Sequence, residues 1–425
     1  MMFRKETEFQ ETEIGKIPKD WKIEKLSSLA TIIMGQSPPS STYNKEGKGL
    51  PFIQGKMEFG KMHPSPTTYT SRPLKIAEKG DVLMSVRAPV GDVNIAPYKL
   101  CIGRGLAAIR FNSKTANNLF YFYYLQSIKS RLESLGKGST FKAITKKDLE
   151  ELRIVYPPLN EQKGIADVLL MVDRGIEIVD RAVAKLEGMK RALLNELLTG
   201  RIRVREENGK LTFYKETEFQ DTEIGKIPKD WKSEKLSSLA TIIMGQSPPS
   251  TTYNKEGEGL PFIQGKMEFG KMYPSPTTYT SRPLKIAEKG DVLMSVRAPV
   301  GDVNIAPYKL CIGRGLAAIR FNPKMANNLF YFYYLQSIKS RLESLGKGST
   351  FKAITKKDLE ELRIVYLPLN EQKGIANILL TIDNAIELYY REKERLLRLR
   401  RGLMSVLLTG RVRVIGDVKN VGVVT

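Results

Sequence analysis

The chain has 425 residues, with 68 Lys and Arg against 46 Asp and Glu, a net charge of +22. That excess points equally to a polyanionic partner, nucleic acid before an anionic membrane surface, and to a solvated Lys-rich surface. Its 41% apolar and 27% charged residues exclude wholesale disorder, and at roughly 100–200 residues per domain the length predicts two or three domains.

Two cysteines, Cys101 and Cys311, and a single histidine, His63, exclude a disulfide framework and His-rich zinc sites and argue against Ser-His-Asp chemistry. Without an 18-residue apolar run, and with Met1–Glu6 unlike a signal peptide, the expected compartment is the cytoplasm.

Internal duplication dominates the chain. Residues 5–166 recur at 215–376 with a constant offset of 210 and no gap. About eight substitutions separate the copies, among them Glu11/Asp221, Ile23/Ser233, Lys48/Glu258, His63/Tyr273 and Thr115/Met325. A repeat this long is a domain, which excludes a solenoid.

The first part of each copy reads as α+β. Asp81–Val86 and Leu106–Phe111 are β-rich stretches between turns rich in Gly and Pro. The spacing of Leu119, Phe120, Tyr123, Tyr124 and Ile128 predicts one helix over Ala116–Leu135. Tyr121, Tyr123 and Tyr124 are expected in the core, as are Cys101 and Cys311; His63 is expected at the surface. A short helix starts near Thr145, whose hydroxyl caps Lys146–Leu149.

After Pro157-Pro158-Leu159-Asn160 comes a heptad seam: Ile165, Leu169, Val172, Ile176, Val179, Val183, Leu186, Lys190, Leu193 and Leu197. Gly200 stands where a glycine ends a helix. The second copy continues it through Ile375, Leu379, Ile382, Ile386, Tyr389, Lys393, Leu396, Arg400, Leu403 and Leu407. Each seam implies a helix of about 38 residues, roughly 57 Å long. Neither helix buries its stripe alone, so the two are expected to pair as a coiled coil. With a short link between the first helix and the second copy, an antiparallel pair is the less strained arrangement. Ile202–Arg205 and Leu211–Phe213 flank Asn208-Gly209, a hairpin signal. The same Arg-Val-Arg-Val pattern at 411–414 has Met2-Phe3-Arg4 as its counterpart partner, so the two ends of the chain are expected side by side.

Catalytic templates fail. Gly103-Arg104-Gly105-Leu106-Ala107-Ala108 has the outline of a dinucleotide fingerprint but leads into a strand rather than a helix. Gly136-Lys137-Gly138-Ser139-Thr140 lacks the first glycine of a P-loop, with Leu132 in its place. There is no Asn-Pro-Pro-aromatic sequence for amino-methyl transfer. No catalytic residues, cofactor site or metal site are expected in the chain.

Binding residues are better represented. Gln36, Ser37, Arg72, Arg87, Arg104, Lys137, Thr140, Lys142 and Lys146 sit beside turns. Their counterparts are Gln246, Ser247, Arg282, Arg297, Arg314, Lys347, Thr350, Lys352 and Lys356. Glycine-flanked backbone with Lys, Ser and Thr suits phosphate contacts, whereas Arg and Gln reach base edges in pairs of hydrogen bonds.

Four segments carry a family resemblance: Gly15-Lys16-Ile17-Pro18-Lys19-Asp20-Trp21, Gly80-Asp81-Val82-Leu83, Pro157-Pro158-Leu159-Asn160-Glu161-Gln162-Lys163-Gly164-Ile165-Ala166 and Leu197-Leu198-Thr199-Gly200. All recur in the second copy, with Leu367 replacing the first proline of the third. Over nearly its full length the chain resembles the specificity subunit of a type I restriction–modification enzyme.

The resemblance implies a non-catalytic reader of bipartite double-stranded DNA. Methyltransferase subunits holding S-adenosylmethionine and restriction/translocase subunits using ATP and Mg are the implied partners. It also implies two DNA-recognition domains held apart by two long α-helices; with the repeat and the short link, the expected fold is two near-identical α+β domains separated by two antiparallel helices in a pseudo-two-fold coiled coil. The expected boundaries are 1–156 and 215–366 for target recognition, 157–200 and 367–410 for the spacer helices, 201–214 for a hairpin link and 411–425 for a tail. Family members usually carry two dissimilar recognition domains; this chain departs from them, and its duplication predicts an interrupted palindromic site. The alternatives are a self-contained DNA methyltransferase, which lacks a visible cofactor motif, and a coiled-coil scaffold, which leaves two basic globules unexplained.

Overall fold

The computed structural model describes residues 2–136, 143–207, 209–345 and 353–415. The chain forms two compact units: one combines residues up to Asp180 with those from Arg391 onward, and the other is Arg181–Tyr390.

In the first unit, strand Val82–Ser85 lies between Val93–Ile95 and Leu106–Phe111, and the latter also pairs with Ala30–Met34. All four strands are antiparallel. Val82–Ser85 is buried along its whole length, apolar at Val82, Leu83 and Met84, with the Ser85 hydroxyl donating to Pro89 O at 3.0 Å. Val82 and Met84 face the helical core with Ala107 and Ile109. Leu83, Leu106 and Ala108 face Ile53, Leu100 and Ile102 of a second sheet. That five-stranded sheet runs Tyr43–Asn44, Thr68–Thr70, Leu50–Ile53, Leu100–Ile102, Ile76–Ala77. One pair in it is parallel, with Phe52 opposite the buried Cys101. The second unit repeats both sheets at equivalent positions.

Helix Asn118–Ser127 is buried from Phe120 to Leu125, as expected of a segment apolar on every side. Asn117 caps it, its side chain accepting from Phe120 N at 2.8 Å. Tyr121 Oη donates to Val155 O at 3.1 Å, so the tyrosines are core. The single helix expected over Ala116–Leu135 is two, Asn118–Ser127 and Lys129–Leu135, broken at Ile128 (φ −100°, ψ 18°). Tertiary contacts account for the break: Lys129 Nζ reaches Asp92 at 2.5 Å, and Leu132 is fully buried beside Gly91. The short helix Lys146–Glu150 begins at Thr145, whose hydroxyl accepts from Asp148 N at 3.2 Å.

The two long helices are Leu159–Leu198 and Leu369–Leu407. Gly200 and Gly410, at φ 70° and 69°, follow their last turns, a conformation that favours glycine. Each helix lends one half to each unit, and in both units the halves pack together. In the first, Arg400 Nε meets Asp173 and Lys393 Nζ meets Asp180, each at 2.6 Å. In the second, Lys190 Nζ meets Asp383 at 2.6 Å, and Tyr390 Oη donates to Glu187 at 2.9 Å. Numbers rise along one helix as they fall along the other, so the halves are antiparallel within each unit. The polar residues of the seam thus hold carboxylates that favour one register. Tyr389 departs from the predicted seam, being 39% exposed.

The hairpin Ile202–Glu207 with Lys210–Lys215 is present, pairing Val204 with Phe213. In the first unit the same element is assembled from the two ends of the chain, Phe3 opposite Val414 and Arg4 opposite Arg413. Val414 lies across the long helix at Gly164, where a Cβ would stand 2.6 Å from its methyl carbon. Close packing explains that glycine in the Glu-Gln-Lys-Gly-Ile motif.

Candidate nucleic-acid interface

At one edge of the first unit, loops distant in sequence are tied by backbone hydrogen bonds. Gly35 N donates to Leu106 O at 2.8 Å, Gln36 N to Ile102 O at 3.0 Å, and Gly103 N to Ile53 O at 2.7 Å. Val86 N donates to Gly105 O, and Ile144 N to Val86 O, both at 2.9 Å. Arg104 N donates to the Ser37 hydroxyl at 3.3 Å. A Cβ on Gly35 would meet Gly103 O at 2.1 Å, and one on Gly105 would meet Gln54 O at 2.7 Å. These glycines let loops touch, and the chain after Gly105 enters strand Leu106–Phe111.

The cluster brings Gln36, Ser37, Arg87 and Arg104 together. Arg72 follows strand Thr68–Thr70, and the adjoining Ser71 N donates to Thr42 O at 3.2 Å in the turn after Ser37-Pro38-Pro39. The side chains of Arg72, Arg87 and Arg104 are exposed and carry no ion pair among the described residues. Lys146 stands on a separate short helix with its ammonium 3.3 Å from Glu150.

Counterparts repeat this pattern: Gln246 N bonds Ile312 O at 3.0 Å, and Arg314 N bonds the Ser247 hydroxyl at 3.3 Å. Arg282 and Arg297 are exposed, and Lys356 pairs with Glu360 at 3.4 Å. Lys137, Thr140, Lys142, Lys347, Thr350 and Lys352 lie outside the described residues. The chain re-enters at Ala143 and Ala353, bridged to Arg87 and Arg297.

Gln54 and Gln264, exposed just after a short strand and followed by glycine, are turn-side polar residues beside a glycine, as Gln36 is after Gly35, and were not among the expected contacts. Sequence reasoning also missed a buried clasp. Arg413 donates to Glu161 through Nε and Nη2, each at 2.7 Å, to Glu6 at 2.5 Å and to Asp20 at 2.9 and 2.7 Å. Trp21 Nε1 donates to Glu161 at 3.0 Å. Arg203 repeats the arrangement with Glu371, Glu216, Asp230 and Trp231. Gln162 closes the start of the long helix, accepting from Asn117 N at 2.8 Å and donating to Pro157 O at 2.8 Å. Asp81, 2% exposed, receives Arg110 at 2.8 Å. The Asp-Trp, Gly-Asp-Val-Leu and Glu-Gln motifs are therefore the joints of each unit.

Glu6 is held at a pKa of about 2 by backbone N–H groups of Glu8 and Thr7 and by Arg413. Its folded value lies below the unfolded value near 4.5, so its contribution is complete above that pH and fades as pH falls toward 2. The melting-temperature gap between wild type and Glu6→Gln is expected to be widest near neutrality and to close between about pH 5 and pH 2. A gap unchanged by pH would remove Glu6 from the clasp.

Among the described residues no cluster of His, Cys, Asp and Glu could hold a metal ion, and no helix is long and apolar enough to cross a membrane. The site is an array of exposed Arg and Gln on rigid loops, suited to hydrogen-bonding an anionic, base-bearing polymer.

Residues 18–187 and 228–398 each match the type I restriction modification DNA specificity domain. The chain belongs to this family and is a type I specificity subunit, the non-catalytic DNA-recognition component. It is 39% identical over 432 residues to a putative type I restriction enzyme MjaX specificity subunit of Methanocaldococcus jannaschii, covering 97% of this chain and 99% of that one. A chain from a solved structure on complex assembly and conformational transition of the type I R-M system aligns with TM-score 0.57 and 29% identity, over 93% of this chain and 99% of that chain. The S subunit of a type I system from M. genitalium shares the fold at TM-score 0.62 and 18% identity, over 91% and 96% of the two chains.

Proposed function

We propose that each unit reads one half of a bipartite site on double-stranded DNA. Gln36, Ser37, Arg72, Arg87 and Arg104 serve one half, and Gln246, Ser247, Arg282, Arg297 and Arg314 the other. Lys137, Thr140, Lys142, Lys146 and their counterparts add phosphate contacts. In this reading residues 1–156 and 215–366 are target-recognition domains, 157–200 and 367–410 are spacer helices, 201–214 is a link and 411–425 a tail.

One observation carries the proposal: every residue of the loop cluster recurs unchanged at an offset of 210, so the two units present the same donors and acceptors to base edges. Identical readers select identical half-sites. The duplication, with only a short link between the first helix and the second copy, favours an inverted over a direct repeat. The spacer between the half-sites is then set by the long helices.

Methylation and cleavage fall to partner subunits acting on cytoplasmic DNA: methyltransferases holding S-adenosylmethionine, which modify an adenine on each strand, and ATP- and Mg-dependent restriction subunits. Apolar side chains on the outer faces of the long helices support a docking role. Ile178 and Leu388 are 58% and 64% exposed at equivalent positions, and Met189 and Leu399 are 44% and 47% exposed. Exposed apolar positions kept in both copies suit a protein partner.

Selection from random duplex DNA, using the chain with its methyltransferase partner, is expected to return an interrupted inverted repeat. A direct repeat or two unrelated half-sites would overturn the palindrome, and no enrichment at all would overturn the reader.

A further inference from the structure

Eight positions separate the copies over 5–166: Glu11/Asp221, Ile23/Ser233, Ser41/Thr251, Lys48/Glu258, His63/Tyr273, Ser113/Pro323, Thr115/Met325 and Pro157/Leu367. Lys48/Glu258 alone changes formal charge, and it changes it by two units.

The loop that carries this pair has the same backbone in both units. Asn44 Oδ1 accepts from Lys48 N and its amide donates to Lys48 O, both at 2.9 Å. Asn254 clasps Glu258 in the same way at 3.0 and 2.9 Å. Gly49 and Gly259 follow at φ 89° and 82°. A Cβ on either would stand 2.1 Å from the carbonyl oxygen of Thr70 or Thr280. The loop tip is therefore pressed against the backbone that leads into Arg72 or Arg282. The reversal alters the charge beside this arginine and leaves the scaffold intact.

Lys48 and Glu258 are both exposed, and neither has an ion pair among the described residues. In the first unit Lys45, Glu46, Lys48 and Arg72 carry a net charge of +2; in the second Lys255, Glu256, Glu258 and Arg282 carry 0.

We propose that Lys48 contacts a DNA phosphate that Glu258 repels, so that two units reading the same bases bind their half-sites with unequal strength. The first unit anchors the complex and the second completes it. This inference rests on the DNA-reading role proposed above and adds a division between the two readers. Base choice is untouched, because Gln36, Arg87 and Arg104 are identical in the second copy. Strength differs because phosphate contacts act through charge and counterion release.

The test compares the full chain with Lys48→Glu, Glu258→Lys and the double exchange, on random-sequence duplex DNA over a salt series. One phosphate contact alters the slope of log affinity against log salt by about 0.9, equivalent to about a threefold change in affinity across a fourfold change in salt. Lys48→Glu is expected to flatten the slope and Glu258→Lys to steepen it. The double exchange is expected to match wild type, with the contact moved to the other unit. On a duplex carrying one half of the selected site, Lys48→Glu should lower affinity to that of the weaker reader. Glu258→Lys should raise it by only about twofold, the statistical gain of a second equivalent reader. The loop is exposed, so unchanged melting temperatures are expected to accompany these shifts. Slopes equal to wild type in both single variants, with DNA still bound, would overturn the asymmetry and leave the reading role standing. A wild-type chain that binds no duplex, alone or with its partner subunits, would overturn the reading role itself.

Discussion

Replacing Arg203 with alanine is expected to destabilise the chain by about 3–5 kcal/mol, the range for removing one partner of a buried ion pair. Arg203 is 3% exposed and bridges three carboxylates from separate segments: Glu216 after the hairpin, Asp230 of the Lys-Asp-Trp motif and Glu371 of the Glu-Gln motif. Without the guanidinium, Glu371 at 7% exposure keeps the Trp231 indole N–H at 3.2 Å and the Val204 N–H at 3.3 Å as donors, with no compensating charge. Adding Glu371→Gln to the alanine variant should recover part of the loss by removing that orphaned charge. Arg413→Ala makes the equivalent test in the first unit, where the clasp joins both ends of the chain. Denaturant unfolding of each variant provides the measurement. A loss below about 1 kcal/mol, the scale of an exposed pair, would show that the clasp is dispensable.

Arg87→Ala is expected to weaken binding to the selected site by about 1–3 kcal/mol and to relax base choice in one half-site only. The arginine leaves the buried strand Val82–Ser85 and is held on both sides: Val86 bonds Gly105 O and receives Ile144 N, and Arg87 itself bridges Ala143. Its side chain is exposed and unpaired among the described residues. A rigid root with a free guanidinium suits a bidentate base contact. Arg297→Ala should act on the other half, and the double variant should lose discrimination in both. Competition binding against random duplex DNA checks this. An equal loss on selected and random DNA would assign the arginine to a phosphate.

Much of the architecture is legible before any coordinates. The repeat shows when the sequence is compared with itself, and a β-rich stretch between turns, a heptad seam ending in glycine and a hairpin around Asn-Gly are properties of near neighbours in the chain. The halving of the predicted helix at Ile128 was not legible. Its periodicity continues unbroken to Leu135, and the bend follows from Lys129 and Leu132 meeting the Gly91-Asp92 turn.

The candidate site divides along the same line. Composition and turn chemistry picked out Gln36, Arg87 and Arg104 singly. Their gathering depends on the parallel pairing of Leu50–Ile53 with Leu100–Ile102, which brings Gln54, Gly103 and Gly105 into contact. The Asp20, Trp21 and Glu161 motifs drew notice as a family signature, yet their common partner Arg413 lies 252 residues beyond Glu161. By itself the sequence determined that there are two copies of one reader, where the long helices run and that the chain's ends belong together, because periodicity and turn signals are local and duplication is read by comparing the chain with itself. The tertiary structure alone decided which loops share a surface and which charges are buried against one another, because those contacts form between segments that only the folded sheets and helix pairs bring together.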